Sequence, residues 1–247
     1  MIERAILLSA GRGSRLLPLT AERPKCLLEV SGRSLIGWQV EMLARGGVRR
    51  IDVVTGFAAA LVEANLAAIA DPRVEIVTHF NPFYQVADNL GSCWIVRERM
   101  TAGDFLLLNG DTLVSDEIVR RVQQDPGWPI AVTIDVKDRY DSDDMKVQRE
   151  GARLEGIGKT LGPGESDAES IGLIAFRGEG PALFREAVRQ AMRTPEGVNH
   201  WYLKAIDTLA ATGKVGTLSI EGLDWAEVDF LTDIEQAALL TDGWAAG

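Results

Sequence analysis

Apolar residues in the first half of the chain fall in short, nearly unbroken runs separated by stretches of helical spacing. Residues 5–8, 51–55, 74–78, 105–108 and 130–134 read as strands. Between them, 34–45 places Leu35, Trp38 and Met42 on one helical face and stops at Gly46-Gly47. Further helices are predicted over 58–70, 89–100 and 115–124, the last with Ser115 as N-cap. Strands alternating with helices imply crossover units. The expected fold is therefore α/β: a Rossmann-like, mainly parallel sheet flanked by helices. Continuous apolar runs suit such strands because both faces are covered. Ligands of open sheets of this kind bind beyond the carboxyl ends of the strands. The Gly11-Arg12-Gly13 turn and Asp111 both follow such ends and are expected to face one crevice.

The pattern changes after Asp135. Residues 146–149, 153–157 and 171–176 read as short strands joined by tight turns at 150–151 and 162–164. They predict a small antiparallel insertion or lid over the crevice. Helices over 181–192 and 201–212, a strand near 217–220 and a last helix from Thr232 complete the chain. With no repeat, low-complexity tract or linker, residues 1–247 read as a single domain. Its nucleotide-binding part covers about 1–135, its acceptor-binding part about 136–230, and its C-terminal helix 231–247.

A chain of 247 residues can bury a sizeable core without staples. The formal net charge of −10 argues against a nucleic-acid or membrane-surface binder, which usually carries a basic excess. Cys26 and Cys93 are too few for a disulfide framework and read as reduced thiols. His79 and His200 read as structural or surface residues. Glu3 stands where a signal peptide would be basic, and no apolar run reaches membrane-spanning length, so the chain is expected to be cytoplasmic. The sequence leaves a homodimer open.

The densest chemistry lies between Leu8 and Lys25. Glycines following a buried strand let backbone N–H groups approach an anion closely, and Arg12 and Arg15 can add charge-assisted hydrogen bonds. Neither common phosphate motif is present. The Walker pattern lacks its Gly-Lys-Ser/Thr, and the Rossmann fingerprint lacks its third glycine, since position 16 is Leu. The whole run, Leu8-x-Ala10-Gly11-x-Gly13-x-Arg15 followed by Pro18, Thr20 and Pro24-Lys25, resembles the signature of the nucleotidyltransferases that activate sugar phosphates and related alcohol phosphates. That resemblance implies a GT-A-like nucleotidyltransferase fold. It also implies a loop, including Ser14, that wraps a triphosphate. Arg15 would contact the β- and γ-phosphates and Lys25 the α-phosphate. It further implies Mg²⁺ held by Asp111, which ends Leu106-Leu107-Leu108-Asn109-Gly110-Asp111. The second carboxylate would come from Trp225-Ala226-Glu227-Val228-Asp229, where Asp229 is preferred over Glu227.

The segments around Asp88–Ser92, Asp144–Val147, Ile157–Lys159 and Glu169–Leu173 are similar to the phosphocholine cytidylyltransferase branch. By that resemblance the substrates are CTP and a small phosphorylated acceptor, with Asn89 and Ser92 near the nucleotide and Lys146 near the acceptor phosphate. A local helix cap is the alternative reading of Asn89 and Ser92. A choline-like acceptor calls for aromatic faces and a carboxylate. The candidates are Tyr84, Trp94, Tyr140, Trp201, Tyr202 and Trp225, with Asp141 or Glu169. Three rivals remain: a sugar-1-phosphate nucleotidyltransferase, a non-catalytic nucleotide sensor on the same fold, and a dinucleotide-binding oxidoreductase. Joint retention of Arg15, Lys25, Asp111 and Asp229 weighs against the sensor, and the missing third glycine against the oxidoreductase.

Overall fold

The computed structural model describes residues 1–69, 71–124, 127–162 and 164–245, with the side chain of Ala245 left out. The predicted helix end at Ala70 and the turn residue Pro163 lie outside the described residues. In chain order the elements begin β1 (Arg4–Ser9), β2 (Glu29–Val30), β3 (Arg33–Ser34), α1 (Leu35–Arg45), β4 (Arg50–Thr55), α2 (Ala59–Ala68) and β5 (Glu75–Phe80). Next come α3 (Asn89–Ile95), β6 (Phe105–Asn109), β7 (Thr112–Val114), α4 (Asp116–Gln123), β8 (Ile130–Asp135), β9 (Lys146–Glu150) and β10 (Arg153–Gly158). The chain closes with β11 (Ala168–Phe176), α5 (Gly180–Ala191), α6 (Tyr202–Ala210), β12 (Val215–Ser219), β13 (Trp225–Glu227) and α7 (Leu231–Ala245).

Among the described residues, nine strands form one sheet in the order β5-β4-β1-β6-β11-β8-β12-β10-β9. The half formed by β5, β4, β1 and β6 is parallel, as expected. β11 enters antiparallel between β6 and β8, so the sheet is mixed at its centre. β9 pairs with both β10 and β11, which curls the far end of the sheet back on itself. Of the three strands expected in the antiparallel addition, β9 and β10 form this curled end, whereas β11 is built into the centre of the sheet.

Successive residues of β1 explain its unbroken apolar run. Ile6 and Leu8 join the core beneath α3, α5 and α6, whereas Ala5 and Leu7 join the core beneath α1, α2 and α4. Stacked rings of Phe105, Phe176 and Phe184, their centroids 4.6 Å apart at each step, lie at the centre of the first core. A third cluster packs α7 against α1 and β2 through Trp38, Ala237 and Trp244. The α3 helix stops at Ile95, short of the predicted end at 100.

Two small pairings carry no visible sequence period. β2 and β3 form a hairpin, and β13 pairs antiparallel with β7, Glu227 opposite Thr112. Strands of two or three residues are too short to show alternation. The second pairing brings the C-terminal segment to the Asp111 turn, where the Val228 N–H donates to the Asp111 carbonyl at 3.1 Å.

Candidate active site

β1 and β6 are neighbours, and Leu8 stands opposite Asn109 in their register. The loops that leave them therefore open side by side at the carboxyl edge of the sheet. Gly110 is required there because a Cβ would lie 2.3 Å from the Leu8 carbonyl oxygen. Gln39 of α1, 1% exposed, donates to the carbonyls of Asn109 and Thr112, both at 2.8 Å. It thereby clamps the turn that presents Asp111.

The Gly-rich loop is held from within. Gly13 has φ +81°, and a Cβ on it would fall 2.6 Å from the Cβ of Lys25. The buried Thr20 hydroxyl donates to the Gly13 carbonyl at 2.7 Å, and the Lys25 N–H to the Arg12 carbonyl at 3.2 Å. These contacts tie Thr20 and Pro24-Lys25 to the glycine loop. The Arg12 guanidinium donates to the carbonyls of Thr20 and Ala21 and lies 4.7 Å from the Phe57 ring. Arg12 thus braces its own loop and does not face the anion pocket, contrary to expectation.

A pocket of about 270 Å³ is lined by Leu8, Gly11, Gly13, Ser14, Arg15 and Lys25, together with Asp111 and Asp229. Ser9, Cys26 and Gly110, which the sequence did not single out, also line it. Ala10 is buried against the sheet and offers its carbonyl to the Phe57 N–H at 3.0 Å. The Lys25 ammonium lies 3.0 Å from Asp111 Oδ2 and in close contact with Asp229 Oδ1. Burial works against its charge, but the two aspartates outweigh that and raise its pKa above the ordinary lysine value. Arg15 bonds Asp229 at 3.0 Å and also reaches Asp143.

Asp111, Glu227 and Asp229 bring carboxylate oxygens within 4.8 Å of one another. Asp111 Oδ1 is buried with no hydrogen-bond partner. Glu227 is reached by solvent, yet cleft desolvation and then the charges of Asp111 and Asp229 push its carboxyl up to about 8. An all-oxygen cluster with one orphaned oxygen, now balanced by a lysine ammonium, fits a hard divalent cation. Glu227 thus joins the two aspartates, in addition to and not instead of Asp229.

The pocket opens through Arg15, Asp111 and Asp229 into a larger cleft of about 660 Å³. Among the described residues that line it, ten are acidic and three, Arg15, Lys137 and Lys159, are cationic. Of the residues proposed from sequence for the acceptor, Trp201, Trp225, Glu169 and Asp141 line this cleft. Trp225 Nε1 donates to Asp135 at 2.9 Å, which fixes its ring. Glu169, 3% exposed, faces Lys137 at 2.6 Å.

Several expected residues sit elsewhere. Tyr202 is fully buried and packs edge-on against Phe184. Its place on the inner face of α6 follows from helical spacing. Lys146 is buried and its ammonium donates to the Lys159 carbonyl at 3.0 Å, so the lysines that line the cleft are Lys137 and Lys159. The Tyr140 hydroxyl accepts from the Lys137 N–H at 3.1 Å within its own loop. Asn89 lines the cleft but also caps α6, accepting from the Tyr202 N–H at 2.8 Å. Ser92 is buried and accepts from the Asn81 side chain at 3.2 Å. Tyr84 and Trp94 pack against the core. His79 pairs with the buried Asp52 at 2.8 Å, a structural role.

Residues 4–142 match the nucleotidyl transferase family, and the chain belongs to it. The protein is a nucleotidyltransferase. It is 22% identical to the CTP:phosphoglutamine cytidylyltransferase of Campylobacter jejuni, over 94% of this chain and 97% of that one. It is 29% identical to the CMP-5'-(3-aminopropyl)phosphonate synthase of Streptomyces rubellomurinus, over 95% of this chain but 38% of the relative's length. The inositol-1-phosphate CTP transferase of T. maritima shares the fold, with a TM-score of 0.80 at 18% identity over 98% of this chain and 97% of that chain. Both of these curated relatives are named for cytidine nucleotides, and UDP-glucose pyrophosphorylases share the fold as well. No helix among the described residues is long and apolar enough to cross a membrane.

Proposed function

We propose that the protein transfers CMP from CTP to a small phosphate or phosphonate that carries a positive charge, releasing pyrophosphate. The observation that carries this reading is the sign of the cleft, seven carboxyl-bearing residues besides the three grouped for a metal against three cations, next to the Gly-rich loop with Arg15 and Lys25. The small pocket takes the triphosphate and the acidic cleft takes the acceptor. Trp225 and Trp201, the latter with the Lys159 ammonium 4.9 Å from its ring, line the cleft where the acceptor's ammonium would lie. A neutral sugar gains nothing from that much negative charge. The names of the Campylobacter and Streptomyces relatives support a cytidine nucleotide and a phosphorus-bearing small acceptor.

An acceptor oxygen, already anionic, forms a bond to the α-phosphorus, and the bond to the bridging oxygen of the β-phosphate breaks. The electron pair leaves with pyrophosphate, and no general base is required. Arg15 and the loop N–H groups hold the leaving group, and Lys25 meets the charge at the α-phosphate. Asp111, Asp229 and Glu227 would hold Mg²⁺, which supplies neutralisation of phosphate charge when bound. The continuous sheet beneath both pockets supports reading 1–247 as one domain.

The test is pyrophosphate release from CTP, UTP, dTTP and GTP with a panel of acceptors. The reading expects turnover with CTP and phosphocholine or an aminoalkyl phosphonate. Turnover of glucose 1-phosphate with UTP or dTTP, and none with the cationic acceptors, would overturn it.

A further inference from the structure

The acceptor cleft does not end at Trp201. A second chamber of about 340 Å³ adjoins it and shares Met145, Lys159, Trp201 and Leu203 with it. Trp201 is 42% exposed, a large indole left open on a wall common to both spaces. The Lys159 ammonium lies 4.9 Å from its ring centroid and 3.1 Å from Asp143, which steadies that wall.

The two spaces differ in chemistry. The cleft is ringed by carboxylates, whereas the chamber is floored by Met145, Ile157, Leu161 and Leu203. Its one acidic lining residue among those described, Asp207, is already committed. It accepts from the Ile157 N–H at 3.1 Å and from the Lys204 ammonium at 2.9 Å. Gly158, the last residue of β10, forms part of the wall, and a Cβ placed on it would meet nothing within 4 Å. A pocket of this size, more apolar than polar in its lining, has the character of a small-molecule site.

We propose that this chamber receives an apolar arm borne on the cationic end of the acceptor. This rests on the reading that the cleft takes a cationic acceptor. The phosphorus end then lies toward Lys25, the ammonium among the carboxylates, and a short alkyl or acyl chain passes Trp201 toward Gly158. The enzyme accordingly favours extended ammonium acceptors over bare ones.

The experiment titrates n-alkyltrimethylammonium ions, from methyl to octyl, into the full chain by calorimetry. Affinity is expected to rise roughly three- to fourfold per added methylene until the chamber is full. Gly158→Leu fills open space without a backbone clash. It should bind tetramethylammonium as the unsubstituted protein does and lose the dependence on chain length. A flat series in the unsubstituted protein, or an equal slope in G158L, overturns the chamber. If tetramethylammonium binds but length adds nothing, the chamber fails while the cationic reading stands. If only long chains bind, with a slope that G158L abolishes, the chamber stands and the cationic reading fails.

Discussion

Replacing Lys25 with methionine removes the ammonium that lies between Asp111 and Asp229. The Lys25 side chain is 11% exposed and each aspartate 28% exposed. At an effective dielectric constant near 20, one such pair at 4 Å is worth about 4 kcal/mol before desolvation, which cancels most of it. A divalent ion that binds these carboxylates must first displace the lysine. Lys25→Met should therefore tighten Mn²⁺ binding to the nucleotide-free protein by about tenfold, or 1.4 kcal/mol. The same variant should lose roughly 10²- to 10³-fold in turnover, the scale seen when one donor to a developing charge is removed. The metal-free variant should also lose about 2 kcal/mol of stability, because two half-buried carboxylates face each other uncompensated, and metal should restore it. Electron paramagnetic resonance of free Mn²⁺ measures the first effect, pyrophosphate release the second and thermal unfolding the third. Unchanged or weaker metal binding in Lys25→Met, with turnover retained, would refute the reasoning.

Tyr202→Phe should leave turnover and acceptor KM unchanged and keep or raise stability by up to about 1 kcal/mol, since the buried hydroxyl lacks a hydrogen-bond partner; steady-state kinetics and unfolding check it. Trp201→Ala should raise KM for a cationic acceptor about fivefold with little change in KM for CTP, a cation–π contact being worth about 1 kcal/mol. Burial pushes the Glu169 carboxyl from 4.5 up to about 7, against the pull of Lys137. A carboxyl raised on folding contributes stability that is full below about 4.5 and is lost as pH rises toward 7. Glu169→Gln should flatten that fall, by up to about 2 kcal/mol across the window, in urea unfolding at a series of pH values.

Local chemistry made much of this protein legible from its sequence. Apolar runs such as 105–108 had to be strands buried on both faces, and the spacing of Leu35, Trp38 and Met42 had to be a helix. The glycines from Gly11 to Gly13 marked a loop that lets backbone approach an anion, and Pro24-Lys25 fixed its cation. Tertiary structure decided which side chains reach the same space. Nothing local shows that Arg12 turns back onto the Thr20 and Ala21 carbonyls while Arg15 crosses to Asp229, 214 residues away. The three-residue pairing of β7 with β13 is too short to leave a period, yet it helps bring Glu227 and Asp229 to Asp111. Tyr202 and Trp201 are neighbours in sequence, but the first turn of α6 sends one ring into the core and leaves the other on the wall of the cleft. Sequence determined the longer elements and the Gly-rich loop because those depend on neighbours along the chain. The acidic cleft and its second chamber depend on contacts between distant segments, and only the folded sheet sets those.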